Sequence, residues 1–164
     1  MKILIFTEGT IIMHKNAKGH SRKEIVQQVK KKNSSVHDYG SYIPIGNAVE
    51  KLKNWKKQGA EILYLTSRGK TEEVKKVKDV LKKHCFPDGE LFFRQLFHKK
   101  SKEYARIVEE IKPDIFIEDD CESIWGEEDM TITYVSPEIK KKINSFAVKE
   151  FGGIDFLPDN LSEI

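Results

Sequence analysis

Lys2-Ile3-Leu4-Ile5-Phe6-Thr7-Glu8-Gly9-Thr10 decides how the rest of the chain is read. Ile3, Leu4 and Ile5 are apolar without alternation, the pattern of a strand covered on both faces. The run then breaks into a hydroxyl, a carboxylate, a glycine and a second hydroxyl. Met1 to Phe6 is thus expected to be a buried strand whose end carries groups capable of chemistry. It lacks the basic region, long apolar stretch and small-residue cleavage site of a secretory leader.

Outward from this strand, residues 13–46 are polar and carry one helical signal, the capping box Ser21-x-x-Glu24 followed by Ile25, Val26 and Val29 on one face. The segment reads as a small insertion, with Lys15, Lys18, His20, Lys30, Lys31 and Lys32 forming an exposed polar surface. A helix then follows Asn47 as cap, with Val49, Leu52 and Trp55 inward and Gly59 at its end. Glu61 to Leu65 reads as a second buried strand ending in Thr66-Ser67-Arg68. Val74, Val77, Val80 and Leu81 mark a helix before the Pro87-Asp88-Gly89 turn, and Leu91 to Phe93 a strand. A helix begins at Ser101-x-Glu103, places Tyr104, Ile107, Val108 and Ile111 inward and stops at Pro113. The strand Ile115-Phe116-Ile117 runs into Glu118-Asp119-Asp120. Thr131 to Val135 is expected as a strand, Pro137 to Ile143 as a helix, and Phe146 to Val148 as the last strand.

This alternation predicts an α/β fold: a three-layer Rossmann-like sandwich with a mostly parallel sheet, helices on both faces and a small helical cap insertion. Ligands in such sheets bind at the carboxyl ends of the strands, where the polar clusters fall. At 164 residues the chain is expected to form a single domain, 1–164, with the insertion at about 13–46.

Composition narrows the function classes. The chain is 38% hydrophobic and 34% charged, with net charge +3, which speaks against disorder. Its 29 basic residues include only four Arg (Arg22, Arg68, Arg94, Arg106); nucleic acid, whose phosphates favour bidentate Arg, is not expected as a partner. No apolar run approaches the ~20 residues that span a bilayer. Cys85 and Cys121 are lone thiols, fitting a cytoplasmic location and no zinc or disulfide framework. His14, His20, His37, His84 and His98 lack ligand spacing and are expected at the surface. Trp55 and Trp125 read as core or cleft wall, and Gly152-Gly153 as a turn that folds the tail back on the sheet.

The strand ends, taken in order, resemble the haloacid dehalogenase superfamily of phosphohydrolases from Met1 to about Val148. In that family the first motif is Asp-x-Asp-x-Thr, the second a strand ending in Thr or Ser, the third a Lys and the fourth an acidic pair. The resemblance implies that Glu8 takes the place of the general acid and base and also touches the metal, and that Thr10 fills the last position of the first motif. It implies that Thr66, with Ser67 beside it, binds a phosphate, and that one of Lys99, Lys100 or Lys102 neutralises it. Asp119 would hold Mg²⁺, with Glu118 or Asp120 as second acid, because a hard cation takes oxygen ligands. Residues 13–46 fall where the family places a cap.

Phe6 stands where the family has its nucleophilic Asp, and a phenyl ring cannot accept a phosphoryl group. Two functions follow. The chain is a phosphatase of non-standard mechanism, in which Mg²⁺ polarises a small phosphorylated substrate and Glu8 activates water, or it is an inactive binding or regulatory domain on the same fold. Arg68 contacts either an anion in the cleft or the acidic cluster.

Overall fold

Odd and even residues of the central strands part to opposite sides, which builds two apolar layers. Ile3, Ile5, Ile62, Tyr64, Ile115 and Ile117 face Leu52, Trp55, Val77 and Val80 on one side. Leu4, Phe6, Leu63, Leu65 and Phe116 face Tyr104, Val108, Ile132 and Ile143 on the other. This is the period-two geometry of strands buried on both faces.

The computed structural model describes residues 1–94 and 100–164, without the side chains of Lys100 and Ser101. The elements are β1 (Lys2–Phe6), β2 (Ile12–Met13), α1 (Arg22–Lys30), β3 (Ile43–Pro44), α2 (Ala48–Lys57), β4 (Glu61–Thr66), α3 (Thr71–Lys83), β5 (Leu91–Phe93), α4 (Lys100–Ile111), β6 (Ile115–Asp119), α5 (Pro137–Lys140) and β7 (Asn144–Val148). The main sheet has the order β5-β4-β1-β6-β7 and all its pairings are parallel. Right-handed crossovers explain the layering. The chain steps outward from β1 to β4 and β5, which puts α2 and α3 on one face; it then returns past β1 to β6, which puts α4 on the other. The α/β sandwich expected from the alternation is thus the observed fold. Among the described residues no helix is long and apolar enough to cross a membrane.

The insertion leaves and rejoins the core through an antiparallel ribbon in which Ile12 faces Pro44 and Met13 faces Ile43. Between them α1 starts at Ser21 with both halves of the predicted capping box formed. After β7 the chain turns at Gly153 (φ +74°) and the tail docks on α2. There the Trp55 indole donates to the Pro158 carbonyl (3.0 Å), and Lys51 Nζ, 7% exposed as a residue, donates to the Leu157 carbonyl (2.5 Å) and the Asp159 carboxylate (2.7 Å).

Several local expectations need correction. Thr131 to Val135 is no strand: Thr131–Tyr134 is a 3-10 turn, because the amides of Thr131 and Ile132 donate to the Glu118 carboxylate (2.8 and 2.9 Å) and leave no ladder to build. The last helix is four residues long and ends at Lys140. Asn47 occupies the cap position of α2 without a side-chain cap bond; its own amide is bonded to Asp155 instead. Trp55 and Trp125 divide between the two places expected of them: Trp55 is core, and Trp125, 77% exposed, stands at the wall of the cavity described below.

Gly89 lies where the turn before β5 crosses β4. A Cβ there would sit 2.1 Å from the Ile62 carbonyl oxygen and 3.0 Å from the Tyr64 ring, so backbone has to move. Gly89→Ala is expected to destabilise the fold by about 2 to 3 kcal/mol, read as a lower urea midpoint at unchanged slope.

Candidate functional site

The sheet order reverses direction beside β1, so the carboxyl ends of β1 and β6 frame the crevice where an α/β sheet accepts ligands. The turn after β1 is shaped by backbone: Ile11 and Ile12 amides both donate to the Thr7 carbonyl (2.9 and 3.0 Å) and Phe151 N–H to the Gly9 carbonyl (2.7 Å). Gly9 has φ +82°, and a Cβ on it would lie 2.6 Å from Asp119 Oδ2. Only glycine lets the loop pass this close to the acid.

Glu8 points toward β4. Its Oε1 accepts from the Thr66 hydroxyl (2.6 Å), and its Oε2 from the Thr7 hydroxyl (2.7 Å) and the Ser67 amide (3.1 Å). Arg68 Nε stands 3.6 Å from Oε1. The Arg68 guanidinium also donates to Ser67 Oγ and to Tyr39 of the insertion, whose ring it overlies at 4.5 Å. Arg68 therefore pairs with Glu8 and not with the acids of β6.

Phe6 is 9% exposed, in edge-to-face contact with Tyr104 of α4 (centroids 5.3 Å, 88°). The Tyr104 hydroxyl donates to the Ser67 carbonyl (3.1 Å).

A second group forms around β6 and β7. Ligand atoms of Asp119, Asp120 and Glu150 lie within 4.8 Å of one another. Asp119 accepts from the Cys121 amide (2.9 Å) and the Thr10 hydroxyl (3.2 Å). Glu150 accepts from both the amide and the hydroxyl of Ser123 (2.6 Å each). Asp120 accepts from the Glu150 amide (3.0 Å) and pairs with Lys149 (3.0 Å). Burial, then the nearby Glu150 charge, pushes Asp119 up to about 8. Burial likewise raises Glu150, against the pull of the Ser123 bonds. In Asp120 the effect of burial is outweighed by the Glu150 amide and Lys149, and its carboxyl is held below the usual range. Carboxylates this close resist joint ionisation unless a cation joins them, and an all-oxygen set suits Mg²⁺. The residues present therefore fit a hard divalent ion.

The sequence-derived candidates divide on this geometry. Glu8, Thr66 and Ser67 come together, as do Asp119 and Asp120. Glu8 lies outside the group formed by Asp119, Asp120 and Glu150, because both its oxygens are engaged by Thr7, Thr66 and Ser67. Thr10 is fully buried and orients Asp119, so it presents nothing to a ligand. Glu118 serves the fold: both its oxygens accept the amides of Thr131 and Ile132, and burial still pushes it up to about 7. Lys102 is exposed on α4 and does not line the cavity. Lys99 and the Lys100 side chain lie outside the described residues. Glu150 was missed. It lies two residues past the end of β7, and the rule that ligating groups sit at strand carboxyl ends was the signal that pointed to it.

These groups open on a cavity of about 540 Å³ lined by Phe6, Glu8, Ser67, Arg68, Asp119 and Glu150 among others. A parallel sheet of this order, with such groups at the ends of β1, β4 and β6, is the haloacid dehalogenase-like fold. The chain belongs to the family described as PITM 1-3, LNS2 domain, whose model matches residues 6–115. Among solved structures it is similar to a chain of the Pnkp1/Rnl/Hen1 RNA repair complex (TM-score 0.59, 13% identity), covering 90% of this chain and 42% of that one. The chain thus spans less than half of that neighbour, and the likeness speaks for the fold alone. Weaker similarities are to D,D-heptose 1.7-bisphosphate phosphatase from B. bronchiseptica complexed with magnesium and phosphate (TM-score 0.45, 11% identity, 75% of this chain and 73% of that one) and to phosphoserine phosphatase in apo form (0.47, 13%, 91% and 94%); nothing further rests on these two. A search of curated proteins gives no match.

Proposed function

We propose that this haloacid dehalogenase-like chain binds a divalent cation and a small phosphorylated ligand in the crevice between β1 and β6 without turning the ligand over. The observation that carries this reading is Phe6, whose ring fills the place of the attacking carboxylate and is fixed there by Tyr104. No phosphoryl acceptor stands at that position, and the metal side loses one carboxylate. Glu8, the candidate acid and base, is engaged by three donors, which argues against its activating water.

In this reading Asp119, Asp120 and Glu150 hold Mg²⁺, which when bound neutralises their mutual repulsion and offers positive charge to a phosphate oxygen. Ser67 and Arg68 approach the phosphate from β4, and Thr66 joins them when Glu8 moves aside. Residues 13–46 act as the cap, contributing His14, Val29 and Val36 to the cavity wall.

Hydrolysis of p-nitrophenyl phosphate, with and without Mg²⁺, tests the reading. The native chain is expected to be inert under both conditions. Phe6→Asp is expected to introduce slow, Mg²⁺-dependent release of nitrophenol, abolished by adding Asp119→Asn. Native turnover that requires Mg²⁺ would reinstate the phosphatase. Phosphate binding that ignores both Mg²⁺ and Asp119→Asn would remove the metal assignment.

A further inference from the structure

Among the described residues that line the cavity, Ile124 and Trp125 alone are exposed, by 57% and 77%. The rest of the wall lies further in: Asp119 and Glu150 are buried, and so is His14, which is 1% exposed and not at the surface as expected. The mouth of the cavity is therefore apolar, although its interior holds Glu8, Arg68 and the acids of β6. Two adjacent large apolar side chains left in water at the rim of a charged cavity point to a ligand that covers them.

The rim is also held in place. Ser123 bonds Glu150 through both its amide and its hydroxyl (2.6 Å each), and two peptide units place the Trp125 Cα within about 8 Å of that of Ser123. The Ile124 and Gly126 amides both donate to the Cys121 carbonyl (3.0 Å each), and Glu122 pairs with Arg22 of α1 (2.5 Å). In the same wall Phe6 and Tyr104 are paired with each other, and Tyr42 with Tyr39. The Trp125 indole has no ring, cation–π or hydrogen-bond partner among the described residues.

We infer that Trp125 is a specificity-determining residue of this cavity, whose indole pairs with an aromatic ring in the organic part of the phosphorylated ligand, an aryl phosphate in chemical class. The inference rests on the phosphate-binding reading above and adds the part of the ligand beyond the phosphate. A phosphate held beside Arg68 and the acids lies inside, so the group attached to it extends toward the mouth. The cavity, of about 540 Å³, is of the size that encloses a small organic molecule. At the rim an alkyl group gains only the area it buries, whereas an aryl group also gains the pairing of its π-face or edge with the indole.

Calorimetric titration in the presence of Mg²⁺ with phenyl phosphate, cyclohexyl phosphate and inorganic phosphate tests this. The native chain is expected to bind phenyl phosphate about tenfold more tightly than inorganic phosphate, with cyclohexyl phosphate between them. Trp125→Ala is expected to bring phenyl phosphate down to the affinity of inorganic phosphate, Trp125→Phe to recover part of the loss, and Trp125→Leu to abolish the preference for phenyl over cyclohexyl. Trp125 is one of two tryptophans and Trp55 is fully buried, so acrylamide quenching of the intrinsic fluorescence reads Trp125. Phenyl phosphate is expected to reduce this quenching, and inorganic phosphate to leave it unchanged. Phenyl phosphate that binds no more tightly than inorganic or cyclohexyl phosphate, equal weakening of phenyl and inorganic phosphate by Trp125→Ala, or undiminished quenching at saturating phenyl phosphate overturns the inference while the phosphate-binding reading stands. Failure of the native chain to bind any of the three overturns both.

Discussion

Replacing Glu8 by alanine is expected to tighten the binding of inorganic phosphate by about tenfold, or roughly 1.4 kcal/mol, because the wild-type carboxylate occupies the donors that an external anion needs. Thr66 Oγ, the Ser67 amide and the Arg68 guanidinium surround the Glu8 oxygens much as they would surround two oxygens of a phosphate. An internal anion attached to the chain competes at high effective concentration. Removing it leaves a hydroxyl, an amide and a guanidinium converging without an acceptor, a cost recovered when phosphate enters. Glu8→Gln is expected to fall between the two, since its amide oxygen still accepts while its charge is gone. Calorimetry with sodium phosphate reads the effect. Weaker phosphate binding by Glu8→Ala than by the native chain would show that Glu8 supports the anion site and does not fill it.

Stability in metal-free buffer is expected to fall as pH rises from about 4 to about 8. Asp119 titrates near 3.8 when unfolded and near 8 in the fold, so over this window the native state binds the additional proton. Its contribution to stability is complete below the unfolded value and is lost as pH passes the folded one. Glu118, raised to about 7 by burial, adds to the slope in the same direction. Asp119→Asn removes the charge but keeps an oxygen for Thr10 or Cys121. At pH 8 without metal it is expected to gain roughly 2 kcal/mol, or about 4 to 8 °C in melting temperature for a chain of this size. Mg²⁺ is expected to stabilise the native chain more at pH 8 than at pH 6 and to have little effect on the variant. Circular-dichroism melting at several pH values checks both; a flat pH profile would contradict the burial of an unpaired acid here.

The sheet was legible because its signal is local. Ile3 to Ile5, Ile62 to Leu65 and Ile115 to Ile117 are continuous apolar runs, and each ends in polar groups where a parallel sheet places its ligands. The capping box at Ser21 was equally local and is formed. What escaped the sequence depends on contacts between distant segments. Thr131 to Val135 has the composition of a strand, yet the Glu118 carboxylate, 13 and 14 residues away, captures its first amides. Glu150 joins the acids of β6 only because β7 lies alongside, and its place before Phe151-Gly152-Gly153 made it look like part of a turn. His14 sits in a polar stretch whose burial comes from the insertion folding on the core. Glu8 was read as a reacting group from its position in a motif; its orientation toward Thr66 and Ser67 is a property of side-chain geometry that spacing does not encode.

The tail beyond Glu150 is held on α2. Leu157, Pro158 and Asp159 are latched to Lys51 and Trp55, and the stretch between Glu150 and that latch is short. Shortening the chain before Leu157 would take away the acceptors of Trp55 and Lys51, while Glu150 would keep its bonds to Ser123 and Asp120 and the Phe151–Gly9 anchor beside it. Such a deletion would leave a buried indole N–H and a buried ammonium without acceptors, so its cost would fall on the packing of α2 and not on the acids at the sheet edge.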